Sequence, residues 1–252
     1  MRLFRHRALA TGSINLFVVF GVMFSLFLVL VQFLQTVLGF TALRAASGLL
    51  PMAIVVMPLS TIAPTIAHRV GYRRTLVTGM LLLAAGLALL AAMADPDRGY
   101  VSVLPALLVL GAGVGLAMSP STTAITASLP EEKQGVASAL NDTVREVGAA
   151  TGIALIGSVL NAGYRANIAD VAERLPRGLA EPVKEGIGGT LAVAPRLGPQ
   201  GAHLVDAARA AFTEGMRPAM LLAAGVALGA AAVTVWTLRG ETTRKSTDDT
   251  PR

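Results

Sequence analysis

Long charge-free apolar runs alternate with short polar breaks along this chain. No Asp, Glu, Lys or Arg occurs in residues 8–43, 45–67 or 75–94, and a helix that crosses a bilayer needs about 20 predominantly apolar residues. Each run is long enough to cross. The pattern predicts six spans, at about 14–38, 45–67, 75–94, 103–129, 135–160 and 216–238. Gly39 and Thr41 break the first from the second, a basic turn at 68–74 separates the second from the third, and Pro130 opens the polar turn before the fifth. A basic start followed by apolar residues resembles a secretory signal peptide, but the apolar core of such a peptide runs only about 7 to 15 residues. The first run is therefore a retained span.

The fifth span is the least regular. Its uncharged stretch, 147–160, is too short to cross, so the helix must begin near Gly135 and carry Asn141, Asp142, Arg145 and Glu146 into or against the membrane. After Asn161 the chain turns polar as far as about Glu214, and Pro176, Pro182, Pro195 and Pro199 punctuate what reads as a loop holding a pair of short surface helices. The expected fold class is all-α integral membrane, one transmembrane domain built as a six-helix bundle.

Composition agrees, because hydrophobic residues are 54% and charged residues 14% of the 252 positions, whereas a soluble domain carries about 25% charged residues. The mean hydropathy is +0.64. A net charge of +6 raises nucleic acid as a partner, yet the arginines flank apolar spans instead of forming one basic face with interleaved aromatics. Lys and Arg beside spans set topology, favouring the cytoplasmic side in short loops. Arg2, Arg5, Arg7, Arg69, Arg73, Arg74, Lys133, Arg239, Arg244 and Lys245 fall on one side if the spans alternate, and only Arg44 and Arg98 fall in the opposing short loops. Both termini and the tail 239–252 are thus predicted in the cytoplasm of a plasma-membrane protein, with 161–214 extracellular.

The chain has no cysteine, and its three histidines, His6, His68 and His203, are far apart. Disulfides, thiol catalysis and a clustered metal site are not expected, and no cofactor is implied. No paired nucleophile and base or phosphate-binding loop occurs, since the glycines at 111, 113 and 115 lie in an apolar helix. An enzyme is not expected.

Several spans carry residues that lipid alone does not explain. Gly111, Gly113 and Gly115 precede Pro120, while Gly148 with Gly152 and Gly225 with Gly229 repeat the spacing that lets helices approach closely, either as static packing or as sliding surfaces. Pro51, Pro58 and Pro64 recur in one span, and each removes a backbone hydrogen bond. Gln32 and Gln35 stand one turn apart, an inward pair for substrate contact or for interhelical hydrogen bonds. Asp142 and Glu146 lie one turn apart with Arg145 between them, read as on the same side. Two roles are open for this cluster. Two carboxyl groups that repel when both are ionised suit proton exchange, and an arginine beside them suits a structural or gating ion pair.

Three stretches together resemble the major facilitator superfamily, in its fourteen-span drug:proton antiporter branch of EmrB/QacA type. The first is Gln32-Phe-Leu-Gln35 through Gly39 and Ala46 to Pro51, and the second is the basic turn A-H-R-V-G-Y-R-R at 67–74, which keeps Arg69, Gly71, Arg73 and Arg74 but has His68 at the family's acidic position and Pro64 for its leading glycine. The third and most specific runs from Pro120 to Leu160, where L-P-E-E-K-Q-G-V-A-S-A-L-N-D-T-V-R-E-V-G at 129–148 is similar to the family's P-x-E-x-x-G-x-A-S-A-L-N-x-T-x-R-x-x-G run. The resemblance implies helices nine to fourteen of that fold, the carboxy-terminal half only, and nothing in the chain corresponds to the first eight. It implies proton-coupled efflux of small amphipathic or cationic drugs by alternating access between two bundles, of which this chain supplies one wall. A separate amino-terminal half or a second copy of the chain would then be its partner. Two alternatives stand beside that expectation: a gene fragment without activity alone, and a membrane scaffold or sensor whose segment 161–214 binds a partner.

Overall fold

Inside lipid a backbone group finds no partner except its own chain, so apolar runs close into helices. The computed structural model describes residues 7–238 apart from Leu129, and no strand occurs among them. The expected tail 239–252, with Arg239, Arg244 and Lys245, and the amino-terminal Arg2 and Arg5 lie outside the described residues.

The first helix, α1 (Arg7–Gln32), ends in a wider π turn, Phe33–Val37. Gly39, at a φ of 68°, then turns the chain. The predicted second span is two helices, α2 (Ala42–Ser47) and α3 (Leu50–Val70), with the break at Gly48 and Leu49. Pro51 sits in the first turn of α3, where its missing N–H is no loss. Tyr100 donates to the Gly48 carbonyl at 2.8 Å and its ring tilts against Phe40, over which the Arg44 guanidinium stands at 4.0 Å. Burial pushes the Tyr100 phenol up from its ordinary range. Gly71, at a φ of 104°, joins α3 to α4 (Tyr72–Met93) with no residue to spare. α5 (Leu104–Ala127) follows, and both α4 and α5 lie close to their predicted bounds.

The largest departure from expectation is in the last two spans. α6 (Gln134–Ala172) and α9 (Pro199–Thr237) have 39 residues each. At about 1.5 Å per residue each is about 58 Å long, against a hydrocarbon core of about 30 Å. The segment 161–214 is therefore mostly the continuing ends of these helices, not a loop. Only α7 (Arg177–Glu185), α8 (Ile187–Val193) and short turns lie between them. The extensions hold because they pack on each other. A Cβ placed on Gly163 would lie 2.7 Å from the Gly215 Cα, so the two backbones touch there. Buried Tyr164 shares a 2.8 Å hydrogen bond with Thr190 and donates to the Val183 carbonyl at 3.1 Å, tying α7 and α8 down.

Contacts run in a row α3, α5, α1, α6, with α4 packed behind α3 and α5, α9 behind α1 and α6, and α4 against α9. One core of Leu26, Leu30, Phe33, Met80, Leu87 and Met220 joins the layers. Glycine sets the crossings. Gly111 and Gly115 admit α3 while Gly113 admits α4, where a Cβ would stand 2.5 Å from the Leu83 nitrogen. Gly148 and Gly152 admit α1 at Phe17 and Gly21. Gly225 and Gly229 do not follow the expectation: nothing lies within 4 Å of where a Cβ would be, so that face of α9 meets no described neighbour. Burial is uneven across the row. In the apolar window of α2 and α3 only 11% is buried, and in that of α6 22%, against 44% to 56% in the other four.

Candidate functional site

The first turns of α6 divide the polar cluster 141–146 between two faces. Residues four apart on a helix share a side, so Asn141 and Arg145 turn toward α1 and α5 while Asp142 and Glu146 turn outward and are exposed. Arg145 Nη2 donates to Thr122 Oγ1 at 3.3 Å, and its guanidinium stands 4.8 Å from the centre of the Phe20 ring. Phe20 in turn stacks on Phe24 at 6.1 Å. The expectation that Arg145 sits between the carboxylates on one side is corrected. Among the described residues the ion pairs are Arg98 with Asp95 and Arg209 with Asp206, each at 3.6 Å. A three-residue step permits pairing with Asp142, but the aromatic face and the Thr122 hydroxyl lie on the protected side, where a guanidinium gains more.

This inward spot keeps unused polarity. Asn141 is 7% exposed, its Oδ1 has no partner, and its Nδ2 reaches Asp142 Oδ1 only at 3.4 Å. Arg145 Nε is buried and also without a partner. A buried polar group left unsatisfied costs about 1 to 3 kcal/mol. A donor and an acceptor one turn apart beside an aromatic pair can therefore receive a polar group against an apolar ring.

Gln32 and Gln35 lie at the other end of α1, both half-buried and with no amide hydrogen bond among the described residues. Gln32 ends α1 and Gln35 belongs to the π turn that follows it. The turn leaves carbonyls unpaired by helix geometry, and Arg209 Nε of α9 donates to that of Thr36 at 3.3 Å. In the basic turn, Gly71 holds the left-handed conformation that side chains resist, with Arg69 and Arg74 exposed and Arg73 half-buried. Among the described residues no hydrogen bond or ion pair joins Arg69, Arg73 or Arg74 to Asp142 or Gln32. Sequence reasoning missed a buried clasp between α1 and α9. Asn15 Nδ2 donates to Thr234 Oγ1 at 2.8 Å and to the Thr11 carbonyl at 2.9 Å, while the Thr11 and Thr237 hydroxyls meet at 2.9 Å. An amide inside a charge-free run was the available signal.

The family model described as Major Facilitator Superfamily matches residues 1–153, which holds α1 to α5 and the polar cluster of α6. The chain belongs to the major facilitator superfamily. Six of its helices are long and apolar enough to cross a membrane, so this superfamily member is a multi-pass membrane protein. Among curated relatives, it is 37% identical to the multidrug efflux pump LfrA of Mycolicibacterium smegmatis over 80% of this chain and 40% of that protein. It is 28% identical to the multidrug resistance protein Stp of Mycobacterium tuberculosis over 88% of this chain and 43% of that one. With the methyl viologen resistance protein SmvA of Salmonella typhimurium the identity is 32%, over 84% of this chain and 43% of the relative. The chain thus spans about two fifths of the length of these relatives.

Proposed function

We propose that this chain supplies one six-helix bundle of a proton-coupled exporter of amphipathic or cationic drug-like molecules, working by alternating access as the carboxy-terminal half of a fourteen-span transporter of EmrB/QacA type. A second bundle, from a separate first half or from another copy of the chain, provides the opposite wall. The observation that carries this is the outward face of α6. That spanning helix exposes Asp142, Thr143, Glu146, Thr151 and Ser158, and an ionised residue at the middle of a span costs about 2.5 to 3.5 kcal/mol if it meets lipid. A polar cavity against a second bundle removes that cost. The two sparsely buried helices, α3 and α6, stand at the ends of one row and frame that wall. The names of the relatives supply the substrate class.

In this proposal Asp142 and Glu146 carry the exchanged proton, Arg145 and Asn141 hold the helix in register beneath them, and Gln32 and Gln35 contact substrate further along α1. Both termini lie in the cytoplasm of a plasma-membrane protein, because Arg69, Arg73, Arg74 and Lys133 share one side and Arg44 and Arg98 the other. The ends of α6 and α9 with α7 and α8 then project outside the cell. The test is pH-driven drug efflux from vesicles holding the intact transporter. Asp142→Asn and Glu146→Gln each lower coupled efflux while leaving drug binding in place. Unchanged coupling in both variants discards the proton role.

A further inference from the structure

The turn between α3 and α4 opens on a groove to which the proposed function assigns no role. Its volume is about 1170 Å³, and its lining joins Arg73 and Arg74 from the first turn of α4 to Val77 from the second and to Val235 and Leu238 from the end of α9. Such a volume exceeds the roughly 300 to 1,000 Å³ of a drug-sized pocket. No carboxylate is among the described lining residues, and neither arginine has an ion pair among the described residues. The same end of α4 has no side-chain cap, so its first-turn amides and the positive end of the helix dipole face the arginines' surroundings. One helical turn deeper, the wall is Val77 with the Thr78 hydroxyl beside it, and Val235 of α9 faces them across the groove.

We propose that the groove between α4 and α9 binds an anionic phospholipid, its phosphate on Arg73 and Arg74 and its acyl chain along the half-buried Val77 and Val235. Guanidinium groups recognise phosphate through paired N–H donors, and basic pockets between spanning helices at a membrane surface are suited to anionic headgroups. A soluble anion satisfies the arginines but leaves the valines uncovered. A neutral lipid does the reverse. One molecule with a negative head and an apolar tail meets both halves at the depth where the helices leave the bilayer.

The experiment is native mass spectrometry of the full chain in detergent, titrated with phosphatidylglycerol or phosphatidylcholine. Phosphatidylglycerol is retained as a single adduct that phosphatidylcholine does not reproduce. Arg73→Gln combined with Arg74→Gln weakens that adduct by about twenty-fivefold, a factor of about five for each arginine at the surface. Val235→Trp, which fills the wall without changing charge, also removes it. Arg98→Gln, at the far end of α4, leaves it intact and controls for net charge. Equal adducts with phosphatidylcholine, full retention in the double arginine variant, or displacement by millimolar inorganic phosphate each overturn the proposal. So does loss on deleting residues 239–252, which would assign the lipid to the tail. Melting temperature of each variant without added lipid, unchanged from the parent, shows that a lost adduct is not a lost fold.

Discussion

Whether Arg145 is held by the aromatic ring or by the carboxylates decides what the 141–146 cluster does, and double-mutant cycles separate the two. Arg145→Met removes a cation set 4.8 Å from the Phe20 centroid and a 3.3 Å hydrogen bond to Thr122. A half-exposed cation over phenylalanine is worth about 0.5 to 1 kcal/mol, and a long hydrogen bond to a charged group about 1 kcal/mol. Part of this returns, because the substitution also removes the unpartnered buried Nε. The expected net loss is about 1 to 2 kcal/mol. Measured as unfolding in mixed detergent micelles, the cycle Arg145→Met with Phe20→Leu gives a coupling of about 0.5 to 1 kcal/mol. The cycle Arg145→Met with Asp142→Asn gives none beyond the error of about 0.3 to 0.5 kcal/mol for independent sites. A larger coupling to Asp142 than to Phe20 refutes the inward placement and restores the ion pair.

Two further outcomes follow from packing. Gly152→Leu forces side-chain atoms into the Gly21 backbone of α1 and lowers stability by at least about 1 to 3 kcal/mol, whereas Gly229→Leu, with nothing within 4 Å, stays within about 0.5 kcal/mol; thermal melting in detergent compares them, and equal losses contradict the observed crossings. Tyr164→Phe deletes the hydrogen bonds to Thr190 and Val183, costing about 1 to 2 kcal/mol, and limited proteolysis within 177–198 accelerates; an unchanged cleavage rate shows that the hydroxyl does not hold α7 and α8.

Four of the six spans were legible as charge-free runs long enough to cross, and the other two, which carry Asp142, Arg145, Glu146 and Arg217, from the apolar stretches that follow those charges. The true ends of α6 and α9 were not legible. Residues such as Asn161, Arg165 and Asp206 are polar enough to suggest a loop, and what keeps them helical is a partner, Gly163 on Gly215, that no local window contains. The side taken by Arg145 was hidden for the same reason. Its companions are Thr122 and Phe20, in other helices, while the acids are its neighbours in sequence. Glycine spacing told half the truth: Gly148 and Gly152 meet α1, but Gly225 and Gly229 have the same spacing and, among the described residues, nothing lies within 4 Å of where their Cβ atoms would be. The motif states that a helix can come close, not that one does.

The two open faces of the bundle also ask for different surroundings. Outward from α9 stand Leu221, Val226, Leu228, Val233 and Trp236 with the two open glycines, an apolar surface that acyl chains solvate, ending in a tryptophan of the kind enriched where lipid meets water. Outward from α6 stand Asp142 and Glu146 beside the exposed Val147 and Leu155, and acyl chains do not solvate carboxylates. A six-helix protein surrounded by lipid on all sides would turn those carboxylates inward, as it has turned Arg145 and Asn141. Under the proposed function, leaving the acids out while folding the arginine in fits a wet or protein-covered side next to α6 and a lipid side next to α9. One bundle facing another across a water-filled path meets both conditions with the helix order seen here.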